Sequence, residues 1–167
     1  MNIVDNTGNA LIANVRTIFL EHYRDAEFLR RIEQHAGFKY TGRSPAAVAA
    51  AIRDAVLTVR LEIAHHPHSS AIAATQQINE ALVITFNDHY LNPNQLNVIA
   101  DRVETIMHEI LHCLGEKHFT NSKWFYFYNR WTVPFKVSEM FIDYLTEPER
   151  HIIPAAGQPL ARACSQS

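Results

Sequence analysis

One run of eleven residues constrains this chain more than any other: His108-Glu109-Ile110-Leu111-His112-Cys113-Leu114-Gly115-Glu116-Lys117-His118. It closes a stretch with helix signals, opened by Asn92-Pro93 and stopped by Gly115. At about 100° per residue, His112 lies about 40° from His108 on the helix surface. Leu96, Ile99, Val103, Ile106, Ile110 and Leu114 cluster on the opposite side. That stripe belongs to a core, so the two histidines face something else. One turn apart, their imidazoles can share a metal ion. Glu109 falls beside that face, poorly placed to ligate with both histidines. It is well placed to take a proton from a water held by the metal. Gly115 lets the chain leave the helix sharply, and three residues later His118 can swing back as a third ligand. Three protein ligands and one open position is the catalytic zinc pattern, whereas structural sites are normally closed by four.

The run resembles the extended metzincin motif HExxHxxGxxH of the zincin metallopeptidases. All five fixed positions are present, as His108, Glu109, His112, Gly115 and His118. The bare HExxH occurs often by chance; the eleven-residue form on an amphipathic helix is far more specific. The resemblance implies a zinc-dependent metalloendopeptidase acting on a peptide or protein substrate. It implies Zn²⁺ on His108, His112 and His118, with Glu109 as general base. It also implies an α+β, zincin-like fold, mostly helical with a small twisted sheet, whose edge strand holds the substrate extended. Leu82 to Phe86 directly precedes the active-site helix and is the expected edge. Family members carry a methionine turn below the metal, and Met140 is the only methionine downstream. Tyr126, Tyr128 and Tyr144 are candidate donors to the oxyanion.

Other readings stay open on the same residues. Glu139 and Asp143 stand at i and i+4 on a later helix. The gluzincin branch takes its third ligand from a glutamate so placed, which makes Glu139 an alternative to His118. The YbeY endoribonuclease family carries a three-histidine motif of similar spacing, HGxLHLxGYDH, matched here at Leu111, His112, Gly115 and His118. That family has glycine where this chain has Glu109, and mild acidity does not favour RNA. A zinc-bound interaction module without catalysis is the remaining alternative, and nothing in a structural site requires Glu109.

The rest of the chain reads as scaffold. Its 167 residues suit one domain with a single core, expected over residues 1–153, with a loose tail over 154–167. A net charge of −2 argues against binding nucleic acid by bulk electrostatics. Helices are expected from Asn9 to about His35, from Ser44-Pro45 to the histidines at 65–68, and from about Lys136 to Leu145. Strands are expected at Ala71–Ile78 and Leu82–Phe86, with a turn at Asn79-Glu80. Cys113 is expected to be a small buried residue, and Cys113 with Cys164 does not form a disulfide framework. No basic segment leads into a long apolar run at the N-terminus, so the cytoplasm is the expected compartment, with non-classical export as an effector the alternative. No membrane partner is expected.

Overall fold

The computed structural model describes residues 1–65, 72–92, 98–118 and 129–145. These residues form a mixed α+β unit of five helices and a four-stranded open sheet. The strands are β1 (Asn2–Asp5), β2 (Thr58–Ala64), β3 (Ala73–Ile78) and β4 (Ala81–Asn87). Their spatial order is β1-β2-β4-β3, with β1, β2 and β4 parallel and β3 antiparallel to β4. Helices α1 (Ala10–His22), α2 (Ala26–Glu33) and α3 (Pro45–Asp54) connect β1 to β2. Helix α4 (Val98–Cys113) follows β4 and a short 3-10 turn at Asp88–Tyr90, and α5 (Val133–Tyr144) comes last.

One face of the sheet packs on the helices, and the central strand β4 is buried on both faces, Val83 with Leu82 and Ile84. Ile3, Val59, Leu61, Leu82, Ile84 and Phe86 join one buried cluster with Phe19, Phe28, Ile106, Ile110 and Phe141 from the helices. Neighbours of opposite parity, such as Thr58, Arg60, Glu62 and Gln76, point to the other face. The β3–β4 hairpin closes through Asn79 (φ +46°) and Glu80 (φ +65°). Two consecutive positive φ values give the turn whose twist matches paired strands.

Three expected elements differ. The first helix is two: Asp25 accepts hydrogen bonds from the Glu27 and Phe28 amides at 2.7 and 3.4 Å, starting α2 on its own cap. The second helix ends at Asp54, and Val59, Leu61 and Ile63 belong to β2. Their alternation with Arg60 and Glu62 is period two, which the strand obeys. Leu82–Phe86 is not the edge either: β4 lies between β2 and β3, so the edge beside α4 is β3. Strand β1 carries no sequence signal, because its four residues are too few to show a period. The expected helix start from Pro93 on, the histidines at 66 and 68, the aromatics from 124 to 128, Cys164 and the tail lie outside the described residues. Among the described residues, no helix is long and apolar enough to cross a membrane.

Helix α4 is held as a core element. Ile99, Val103, Ile106, Met107 and Ile110 are fully buried. The buried guanidinium of Arg102 donates through Nη2 to the Tyr90 carbonyl, fastening the helix to the segment that leaves β4. The face opposite this buried stripe carries the histidines.

Candidate metal centre

His108 and His112 project from successive turns of α4, and His118 returns to them. The return depends on the turn after the helix. Gly115 has φ +93°, in the region L-residues avoid. Its N–H donates to the His112 carbonyl, and the Glu116 N–H donates to the Leu111 carbonyl, both at 3.0 Å. This reversal brings His118 Nε2 to 2.9 Å from both His108 Nε2 and His112 Nε2. Among the described residues these three are the only group of histidine, cysteine or carboxylate ligand atoms gathered closely enough to hold a metal ion.

The donor set fits a divalent metal of the zinc kind. Tetrahedral zinc with bonds of about 2.0–2.1 Å spaces its nitrogens about 3.3 Å apart, so edges of 2.9 Å need open by only about 0.4 Å. His112 Nδ1 lies 2.8 Å from the Glu116 carbonyl oxygen. A carbonyl only accepts, so Nδ1 carries the proton, and the neutral ring keeps its Nε2 lone pair for the metal. Burial, then the neighbouring His118 and His112, push the His108 imidazolium down to about 3. Burial, then His112, push His118 down to about 4. Both rings are therefore neutral at pH 7, the form that ligates.

Two neighbours shape the site that the sequence did not single out. Phe135, in the first turn of α5, stands edge-on to His108 at 4.8 Å and tilted over His118 at 5.0 Å. Arg43, from the segment before α3, places Nη1 3.4 Å from Oε1 of Glu116, whose side chain is only 5% exposed. Its Nη2 also lies 3.6 Å from where a Cβ on Gly115 would stand. The guanidinium thus covers the turn that delivers His118.

Glu109 is half-buried beside the triad, and its Oε2 accepts a 2.7 Å hydrogen bond from Thr75 Oγ1 on β3. The carboxylate is consequently fixed between the ligand helix and the edge strand. Sequence offered no signal for this contact, because it depends on which strand becomes the edge.

Glu139, Met140 and Tyr144 are placed elsewhere. Helix α5 runs along α4 so that Phe135 is level with His108, while Glu139, one turn on, faces Glu104, one turn before His108. Burial, Asp101 and Glu139 together push the Glu104 carboxyl up, which reports that proximity. Glu139 is exposed, and its Oε2 accepts from Lys136 Nζ at 2.6 Å. It does not join the histidine cluster. Met140 lies inside continuous helix, not in a turn, and packs against the hydrophobic core. Phe135 takes the place beside the imidazoles. Tyr144 is at the far end of α5, about 14 Å along the axis from Phe135, packed with Phe28 and His22. Tyr126 and Tyr128 lie outside the described residues. Cys113 is exposed rather than buried, because it falls beyond the core stripe at the helix end.

The other described histidines have separate surroundings. His65 pairs with Asp88 at 2.9 Å, His35 stacks on Phe38, and His89 meets Tyr90 edge-on. A cavity of about 610 Å³ near the starts of β1, β2 and β4, lined by Met1, Leu57 and Glu80 among others, holds none of the site residues. Neither protein-family models, nor curated proteins, nor solved structures match this chain.

Proposed function

We propose that this protein is a zinc-dependent metallopeptidase of zincin-like architecture. The convergence of three imidazole Nε2 atoms beside a strand-anchored glutamate carries this reading. His108, His112 and His118 would hold the ion through Nε2. When bound there, zinc supplies a Lewis acid that polarises a carbonyl oxygen and acidifies a water.

The remaining roles belong to side chains of this chain. The Glu116 carbonyl holds His112 in the tautomer that ligates. Glu109 receives a proton from the attacking water at its carboxylate and passes it to the departing amine nitrogen. Phe135 walls off one side of the imidazoles and keeps solvent from their rings. Strand β3 is the sheet edge beside Glu109, and an extended peptide can add to it as a further strand. The outermost place of β3 in the sheet, with Thr75 bonded to Glu109, supports the same reading, because it sets an open strand edge beside that carboxylate.

The test is metal analysis with paired substrates. Protein purified without chelator is expected to contain zinc and to cleave members of a peptide library but not RNA. Glu109→Gln is expected to retain the metal and lose hydrolysis by several orders of magnitude. Absence of metal in the wild type, or full activity in Glu109→Gln, overturns the assignment. Cleavage of RNA in place of peptide assigns the site to the nuclease class instead.

A further inference from the structure

Strand β3 carries more than a substrate seat. The Asn87 N–H donates to the Ile72 carbonyl at 2.9 Å, which makes residues 72 and 87 a hydrogen-bonded pair of the antiparallel ladder. Such pairs alternate with non-bonded ones. With the register Ala73↔Phe86 through Ile78↔Ala81, the bonded pairs are Ala74–Thr85, Gln76–Val83 and Ile78–Ala81. The last closes the two-residue turn, as a tight hairpin requires. Ala73, Thr75 and Gln77 therefore turn their main-chain N–H and C=O away from β4, towards the outer side of the edge. Among the described residues no strand pairs with that side.

Thr75 is thus in two places at once. Its backbone faces the open edge, and its hydroxyl donates to Glu109 Oε2 at 2.7 Å. We infer that Thr75 is a positioning residue that couples the substrate-pairing edge to the carboxylate of Glu109. The inference rests on the peptidase reading above.

A glutamate side chain on a helix has several rotatable bonds, and its carboxylate must be held within a fraction of an ångström to meet a water in line. The Thr75 hydroxyl fixes Oε2 and leaves Oε1 to take the proton. A peptide that pairs with residues 73, 75 and 77 straightens the strand that carries this hydroxyl. Correct seating of the substrate and correct aim of the base then share one residue. Thr75 does not touch the reacting atoms; it acts through Glu109.

The experiment uses the full chain loaded with zinc, with a peptide that the wild type cleaves. Thr75→Val keeps the β-branched shape and the backbone and removes only the hydroxyl donor. Its zinc content is expected to be unchanged, its KM to stay within about twofold, and its kcat to fall about tenfold or more, as for one lost hydrogen bond to a charged group. Thr75→Ser is expected to recover kcat to within about threefold. A Thr75→Val enzyme with wild-type kcat, or a serine variant no better than valine, overturns the inference.

A second measurement needs no activity. In a denaturation cycle of Thr75→Val and Glu109→Leu, which removes the acceptor as well as the donor, the unfolding equilibrium constants are expected to be non-additive by about threefold or more. Additivity overturns the contact itself. A wild type that cleaves no peptide refutes the peptidase reading, while the cycle still decides whether Thr75 holds Glu109.

Discussion

Removing Arg43 offers a direct test of how His118 is brought to the other two histidines. Arg43 and Glu116 stand 3.4 Å apart, with the glutamate almost wholly buried and the arginine 42% exposed. At an effective dielectric near 20, unit charges at that distance attract by about 5 kcal/mol. Solvent screening and the ordering of a long side chain remove most of this, and about 1 kcal/mol of folding stability is the expected remainder. The larger consequence concerns the metal. Glu116 supplies the carbonyl that fixes the His112 tautomer, and it is the residue between Gly115 and the approach to His118. Loss of a group that directly supports a ligand costs about ten- to a hundredfold in metal affinity. Arg43 acts one step further out, so Arg43→Ala is expected to weaken zinc binding by about tenfold, equivalent to about 1.4 kcal/mol. Competition with a chromophoric chelator at fixed pH measures the affinity, and urea denaturation of the metal-free protein measures the stability. If zinc affinity stays within twofold of wild type while stability falls, the turn is held by its own backbone bonds, and the clamp argument is refuted.

The identity of the third ligand separates two variants. His118→Ala is expected to lower zinc affinity by at least about a hundredfold, whereas Glu139→Ala, exposed and paired with Lys136, should stay within about twofold. The opposite ranking would return the site to the glutamate-ligand branch. The cap of α2 gives a pH signature. Burial pushes the Asp25 carboxyl up, but bonds from the Glu27 amide, the Tyr144 hydroxyl and the Phe28 amide, with the His22 charge, bring it below its ordinary value. Its stabilisation is therefore present above about pH 4 and is lost as pH falls through the lowered value. Asp25→Ala is expected to cost about 1 kcal/mol at pH 7, with the gap to wild type narrowing as the capping carboxylate is protonated at acid pH; urea titrations that keep a constant gap contradict this.

The eleven-residue run was legible because helix periodicity alone sorts His108 and His112 away from Ile99, Val103, Ile106 and Ile110. Gly115 announced the reversal because only a positive φ delivers His118 so soon after the helix ends. The hairpin was legible from Asn79-Glu80 between two short apolar runs. Less was legible where two periods fit the same letters. Val56, Val59 and Ile63 satisfy a helical stripe, and Val59, Leu61 and Ile63 satisfy a strand; burial against β4 decides for the strand. The break at Asp25 has no glycine or proline to mark it, only a capping side chain. Strand order is a long-range property, so nothing local placed β3 rather than β4 at the edge, and Thr75 stayed hidden with it. Arg43 stands 75 residues before His118, and Phe135 stands 17 after it. Contacts of that span leave no trace in local spacing.

The two-residue hairpin makes the site a matter of counting. Thr75 stands four positions before Asn79, so the pleat aims its hydroxyl at Glu109. One residue added to β3 between the turn and Thr75 would exchange inside for outside along the rest of that strand. The hydroxyl would then point away from α4, and the inserted residue or Gln76 would take its place. Two residues added would restore the facing but move the threonine about 7 Å along the strand. The length of the hairpin is therefore locked to the helix opposite, and a change of length there would part Thr75 from Glu109 while the three histidines stayed together.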